Sequence, residues 1–303
     1  MKRPIGTPRQ TKAVQAKHDF TFKKSLGQHF LVDPRILRTI VAAARPDART
    51  GILEVGPGFG ALTEALAETA GRVVAVEVDR RLIPVLEEQL AAFPHVTVIH
   101  ADILECDLHE LATHFAGCSQ WKVVANLPYY ITTPILVKFL EFASLFATMK
   151  RKGEPLSIPP LTEMILMMQK EVAERLAATP GSKAYGSLSV FAQYYAHLEP
   201  VCDVPKSAFL PPPNVVSQVI RLILREQPAV DVPDPEWFFQ VVRAAFAQRR
   251  KTLLNNVHAL VPHVAKADLA QRLQSGGLDL SRRAETLSLQ EFAALSQHLS
   301  QLR

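Results

Sequence analysis

The chain has 303 residues, 48% of them hydrophobic and 21% charged, enough for one large domain with a buried core and a smaller one beside it. No apolar run reads as a membrane span, no apolar block marks a secretory signal, and Cys106, Cys118 and Cys202 stand in no metal-ligand spacing. A membrane anchor, a disulfide framework and a metal site are therefore not expected, and a reduced, cytoplasmic setting is. The net charge of +5 is uneven: residues 1–24 carry +6, residues 236–303 carry +4 and the rest −5, which suits a polyanion gripped by the two ends.

Residues 1–24 carry Pro4, Gly6 and Pro8 without a sustained apolar period, and are expected to form a mobile basic arm. After Ser25-Leu26-Gly27-Gln28-His29-Phe30-Leu31, the pair Asp33-Pro34 supplies an N-cap and a first helical residue. The helix should reach about Ala44, because Ile36, Leu37, Ile40, Val41 and Ala44 fall on one stripe. Gln28 and His29 then lie in a loop leading into a packed helix.

Ile52-Leu53-Glu54-Val55 reads as a buried strand running into Gly56-Pro57-Gly58-Phe59-Gly60, with a helix following from about Ala61 to Ala70. Strand, glycine turn and helix open a nucleotide-binding doubly wound sheet, in which the glycines let the backbone approach a ligand. Gly56, Gly58 and Ala61 also satisfy G-x-G-x-x-A, so this turn leaves a nicotinamide dinucleotide and S-adenosylmethionine both open. A second strand, residues 73–78, carries Glu77 near its carboxyl end, where a carboxylate accepts from the ribose hydroxyls of either cofactor.

A helix over residues 82–92 leads to a strand at 96–99 and then to Asp102, placed to accept from an adenine amino group. The strand at 121–125 delivers Asn126-Leu127-Pro128-Tyr129 to the same edge. An amine conjugated to an aromatic ring is a poor nucleophile until acceptors hold its N–H bonds. The Asn126 side-chain oxygen offers one acceptor, a carbonyl of the Leu127-Pro128 turn a second, and the Tyr129 ring a face for stacking.

Further on, a helix is expected at 134–146, a surface loop at 149–160, a buried strand at 164–168, another helix from Gln169 and a flexible loop at 180–186. The prolines of the stretch from Pro205 to Pro213 keep it extended, which offers Phe209 as a second stacking face. A strand at 215–224 and a linker at 228–235 follow. The remainder reads as a small helical domain with a basic surface. Its first helix, about Trp237 to His258, carries Arg249, Arg250 and Lys251.

Ser25-Leu26-Gly27-Gln28-His29-Phe30-Leu31, Glu54-Val55-Gly56-Pro57-Gly58-Phe59-Gly60, Asn126-Leu127-Pro128-Tyr129, Met168-Gln169-Lys170-Glu171-Val172, Ala184-Tyr185-Gly186 and Ala245-Phe246-Ala247-Gln248-Arg249-Arg250-Lys251 occur in this order. Together they resemble the bacterial ribosomal RNA small-subunit adenine dimethyltransferase family. The resemblance implies an α/β fold: a Rossmann-like, seven-stranded class I methyltransferase sheet with one antiparallel strand, over residues 25–227, and a helical RNA-binding domain over 228–303. It implies transfer of four methyl groups from S-adenosylmethionine to two adjacent adenosines near the 3′ end of small-subunit ribosomal RNA, by a monomer acting on the assembling small subunit.

Carried over by position, the donor site falls on Gln28, His29, Leu31, Gly56, Gly58, Glu77, Asp102 and Asn126. The target base falls to Asn126, Leu127, Pro128, Tyr129 and Phe209, and the RNA backbone to Arg249, Arg250 and Lys251. Two departures stand out: position 29 is often Asn in the family, and the 149–160 stretch is longer than the family connection. A large-subunit ribosomal RNA adenine methyltransferase and a non-catalytic RNA-binding assembly factor are the alternatives.

Overall fold

The computed structural model describes residues 5–23, 27–154 and 157–303, with the side chains of Lys150 and Arg151 set aside. Ser25 and Leu26 of the first motif, and residues 155–156 of the expected loop, lie outside these. The chain divides into two compact units, Met1–Ala173 with Glu199–Glu226, and Glu174–Leu198 with Gln227–Arg303.

The first unit begins with helical structure where a mobile arm is expected. The expected mobile arm contains a capped helix, α1 (Pro8–Lys17), whose N-cap Thr7 accepts from the Gln10 N–H. Ile5, Val14 and Phe20 are buried with Phe59, Leu82 and Leu86, and Phe20 meets Phe30 and Phe59 edge to face at 6.1 and 5.2 Å. Each such ring pair adds about 0.5–1.5 kcal/mol beyond its buried area, which holds the segment down despite its basic outer face.

The short strand β1 (Phe30–Leu31) follows, and Asp33 caps α2 (Pro34–Ala44) by accepting from the Arg35 N–H. Next come β2 (Thr50–Val55), buried at every position, α3 (Ala61–Ala67), β3 (Arg72–Glu77), α4 (Ile83–Leu90) and β4 (Val96–His100). The chain continues through α5 (Leu108–Thr113), β5 (Gln120–Asn126), α6 (Thr132–Arg151), β6 (Leu161–Gln169), α7 (Lys170–Ala177), α8 (Ser187–Tyr195), β7 (Ala196–Val204), β8 (Phe209–Leu210) and β9 (Ser217–Leu224).

Seven strands form one sheet in the order β4-β3-β2-β5-β6-β9-β7. Pairing is parallel from β4 through β6, and β9 runs antiparallel to β6. Chain order reverses between β2 and β5, and a ligand of such a sheet binds outside the carboxyl ends of the strands at that switch. β1 and β8 form a separate antiparallel pair with Leu31 opposite Phe209.

Residues 132–149 of α6 are long and apolar enough, by length and composition, to cross a membrane, although no such run was expected. Ile135, Leu136, Phe139 and Leu140 of that helix are buried at 1% exposure or less, as in the core helix of a packed domain. Trp121 of β5 is also fully buried, stacked on Phe115 at 5.3 Å. Near the start of the same strand, buried Lys122 donates to the Ala44 carbonyl at the end of α2. It also lies 3.4 Å from Glu163, which Arg221 grips through two nitrogens.

The second unit has its own core. Residues 174–198 belong to it, not to the sheet unit expected to span 25–227. Tyr185, Val190 and Tyr194 are buried among Phe238, Val241 and Phe292, so the chain leaves the sheet after β6 to supply part of this core. The expected single helix over 237–258 is broken into α9 (Pro235–Ala245) and α10 (Leu253–Val257). Asn256 Nδ2 donates to the carbonyls of Ala245 and Gln248, at 2.6 and 3.1 Å, and closes the turn between them. Two helices complete the unit, α11 (Lys266–Ser275) and α12 (Leu289–Ser300). Trp237 is buried, and its Nε1 donates to the Ser296 carbonyl of α12 at 2.9 Å.

Candidate active site

The carboxyl ends of β2, β3 and β5 and the turn after β4 surround a cavity of about 170 Å³. Gln28, His29, Leu31, Gly56, Gly58, Glu77, Asp102, Asn126, Leu127, Pro128 and Tyr129 all line it, so the structure brings these sequence candidates together. Phe209 is the exception. It is 3% exposed, packed with Leu31, Leu37 and Ile40, and forms no part of the cavity wall. The antiparallel pairing of β8 with β1 turns this ring into the core, so the expected second stacking face is not presented here.

The glycine turn is shaped for close approach. Gly56 has φ +68 and a Cβ there would meet nothing within 4 Å, so the backbone borders open cavity space. Gly58 has φ +60, and a Cβ would come within 2.5 Å of the Phe30 ring. Beyond the turn, Glu77 is held by two backbone groups: the Asp79 N–H donates to Oε1 at 2.8 Å and the Gly58 N–H to Oε2 at 3.3 Å. Burial still pushes its carboxyl up to about 7.

Glu54, not assigned a role from sequence, lines the same cavity and is 2% exposed, and among the described residues its Oε2 meets no hydrogen-bond partner. Burial pushes it up to about 8. A carboxyl interrupting the apolar run Ile52-Leu53-Val55 was the available signal. An orphaned buried carboxyl group, an open glycine cradle and a rim carboxylate fit a donor that carries an ammonium group and ribose hydroxyls.

The loop before β1 is tied to this wall. Gln28 Nε2 donates to Asp79 Oδ2 at 2.9 Å and its Oε1 accepts from the Lys23 N–H at 2.9 Å. Arg81, bonded to Asp79, brings that carboxyl down to about 2. His29 Nδ1 stands 2.8 Å from the Pro211 carbonyl. A carbonyl only accepts, so Nδ1 carries a proton and donates it to this contact. Asp102 Oδ1 accepts from the Leu104 N–H at 2.9 Å, which fixes the carboxylate at the cavity edge.

Asn126 ends β5, and its Nδ2 donates to the His29 carbonyl at 3.0 Å. With the amide nitrogen engaged, Oδ1 is the half left for a substrate amine. Of the two turn carbonyls, that of Pro128 already accepts from the Ile131 N–H and the Thr132 hydroxyl. The Leu127 carbonyl meets no donor among the described residues, which leaves it as the turn carbonyl that can accept. Tyr129 is pinned by a 2.7 Å hydrogen bond between its hydroxyl and Ser217 Oγ, and the His29 ring lies 5.9 Å from its ring, 25° from parallel.

Tyr130 also lines the cavity and is 56% exposed. Its phenol is pushed up by partial burial and by the carboxylates of Asp102 and Glu77. Arg249, Arg250 and Lys251 lie in the second unit, exposed in the turn after α9, and Arg249 Nη2 donates to the Lys183 carbonyl at 2.6 Å.

The family model for ribosomal RNA adenine dimethylase matches residues 19–301. The chain belongs to the ribosomal RNA adenine dimethylase family. Ribosomal RNA small subunit methyltransferase A of Shouchella clausii is 52% identical over 99% of this chain and 97% of its own length. The protein of the same name from Geobacillus thermodenitrificans is 51% identical, covering 100% of this chain and 99% of its own length. Among solved structures, a dimethyladenosine transferase from Plasmodium falciparum matches with a TM-score of 0.71 at 24% identity, over 90% of this chain and 98% of that one. The 23S rRNA methyltransferase ErmE matches with a TM-score of 0.65 at 24% identity, over 89% and 99%. These two likenesses establish the class I methyltransferase fold, and the chain is an α/β member of it.

Proposed function

We propose that the chain dimethylates the N6 amines of two adjacent adenosines in a loop near the 3′ end of small-subunit ribosomal RNA, using S-adenosylmethionine. The observation that carries this reading is the Asn126 amide: its nitrogen is engaged by His29, and its oxygen remains to receive an amine proton beside the Leu127 carbonyl. The relatives at about half identity, named for the small subunit, favour that subunit over the large one.

When bound, S-adenosylmethionine supplies an electrophilic methyl carbon. Glu77 accepts from its ribose hydroxyls, Asp102 from its adenine amino group and Glu54 from its ammonium, with the backbone of Gly56 and Gly58 alongside. Asn126 Oδ1 and the Leu127 carbonyl accept from the target amine and draw its lone pair out of ring conjugation, so no strong base is required. Tyr129, immobilised by Ser217, stacks on the flipped base, a contact worth about 1–3 kcal/mol. Alignment of amine and methyl is the main task, and positioning of this kind contributes roughly 7–11 kcal/mol.

The exposed bases of the second unit contact phosphates of the RNA, and the chain works as a cytoplasmic monomer on the assembling subunit. Mass mapping of methylated adenosines on both ribosomal RNAs tests the reading. Dimethyladenosine pairs in the small-subunit RNA are expected, and modification confined to the large-subunit RNA overturns it.

A further inference from the structure

The amino-terminal helix has no part in the proposed methyl transfer, yet its segment is seated against the donor cavity. The Ile5 N–H donates to Glu64 Oε2 of α3 at 2.7 Å, and the Ile5 side chain is 1% exposed. At Gly6 the backbone approaches α2 so closely that a Cβ would meet Leu37 Cδ1 at 2.1 Å. At the other end, the Arg81 guanidinium stands 4.5 Å over the Phe20 ring, and Nη1 donates to the Thr21 carbonyl at 3.0 Å.

Between these anchors α1 turns Thr11 inward. Thr11 is 2% exposed and is the one residue of α1 that lines the cavity shared by Gly58, Ala61 and Glu77. Its hydroxyl donates to the Ile5 carbonyl at 3.3 Å. A hydroxyl has one proton, so what Thr11 presents to an occupant is acceptor lone pairs. Arg9, Lys12 and Lys17 face the other way, exposed, with Lys17 paired to Glu88.

We propose that Thr11 is a binding residue for the methyl donor, accepting a hydrogen bond from its ammonium or a ribose hydroxyl, and that the docked segment 5–20 is the roof of the donor site. This rests on the reading of the cavity as the donor site. A donor seated beneath the segment is enclosed by it, so binding and seating stabilise each other.

The test is calorimetric titration of the full chain with S-adenosylhomocysteine, which keeps the ribose and the ammonium, without RNA. Thr11→Val is expected to weaken binding by about three- to tenfold, the worth of one net hydrogen bond, and Thr11→Ser to restore it. Unchanged affinity in Thr11→Val, or Thr11→Ser as weak as Thr11→Val, overturns the role of the hydroxyl. The roof has its own readout on the unaltered chain: S-adenosylhomocysteine should slow tryptic cleavage after Lys12 and Lys17, and an unchanged rate overturns it. A chain that methylates RNA but fails these tests refutes this inference alone. A chain with no affinity for S-adenosylhomocysteine refutes the donor site and this inference together.

Discussion

The Asn126 side chain donates to the backbone carbonyl of His29 at 3.0 Å, joining the end of β5 to a loop nearly a hundred residues earlier in the chain. Under the proposed function, one amide would position the donor loop with its nitrogen and the target amine with its oxygen.

Asn126→Ala should separate these duties. Loss of the acceptor is expected to lower single-turnover methyl transfer by about 10²–10³-fold, as for removal of one preorganised hydrogen-bonding group in an active site. Loss of the tie to His29 should weaken S-adenosylhomocysteine by no more than about tenfold. Calorimetry beside a rapid-quench assay measures both, and near-normal turnover would remove Asn126 from the mechanism.

Glu77 should make donor binding depend on pH. Its carboxyl is raised from 4.5 to about 7 by burial, so between those values the folded chain holds a proton that the unfolded chain has lost. Stability from this group is therefore fully present below about pH 4.5 and is lost as the pH rises through about 7. The ionised form is the better acceptor for two hydroxyls, so S-adenosylhomocysteine affinity should increase from pH 6 to pH 8 with release of a proton. Glu77→Gln should weaken binding and flatten that profile. Calorimetry in buffers of different ionisation enthalpy counts the proton, and an equally steep profile in the variant would assign the titration elsewhere.

Gly58→Ala should loosen the donor turn. The residue sits at φ +60, where a Cβ costs about 1–2 kcal/mol, and the new methyl would overlap the Phe30 ring. Phe30 is itself stacked on Phe59 at 4.4 Å, so it has little room to yield. A loss of roughly 2 kcal/mol or more is expected, seen as a melting midpoint lowered by about 4–8 °C. An unchanged midpoint would show that the turn relaxes freely.

Replacing Arg250 and Lys251 with alanine should reduce the slope of log affinity against log salt by about one for each lost phosphate contact. Arg249 differs because it also holds the Lys183 carbonyl, so Arg249→Ala should additionally speed proteolysis in that loop. Filter binding across a salt series measures the slopes; identical slopes would move the RNA footprint away from this turn.

The sheet was legible because its strands are continuous apolar runs and its ligand turn is marked by three glycines. Glu77, Asp102 and Asn126 could be assigned to one crevice because each ends or follows a strand of the same parallel set. The amino-terminal helix was not legible: Ile5, Thr11, Val14 and Phe20 share no helical period long enough to stand out from the basic residues between them. Residues 174–198 were misassigned because position along the chain says nothing of which core Tyr185 and Tyr194 enter. Phe209 was misread because an extended, proline-rich segment fixes backbone direction and leaves open which side the ring faces.

The two buried tryptophans turn the domain division into an optical property. The chain has only two, Trp121 in the core of the sheet unit and Trp237 in the helical unit, where Arg303 covers its ring at 4.4 Å. Each unit therefore carries one intrinsic fluorophore. Trp237→Phe leaves emission that follows the sheet unit alone, and Trp121→Phe leaves emission from the helical unit, so the unfolding of each can be followed without an external dye.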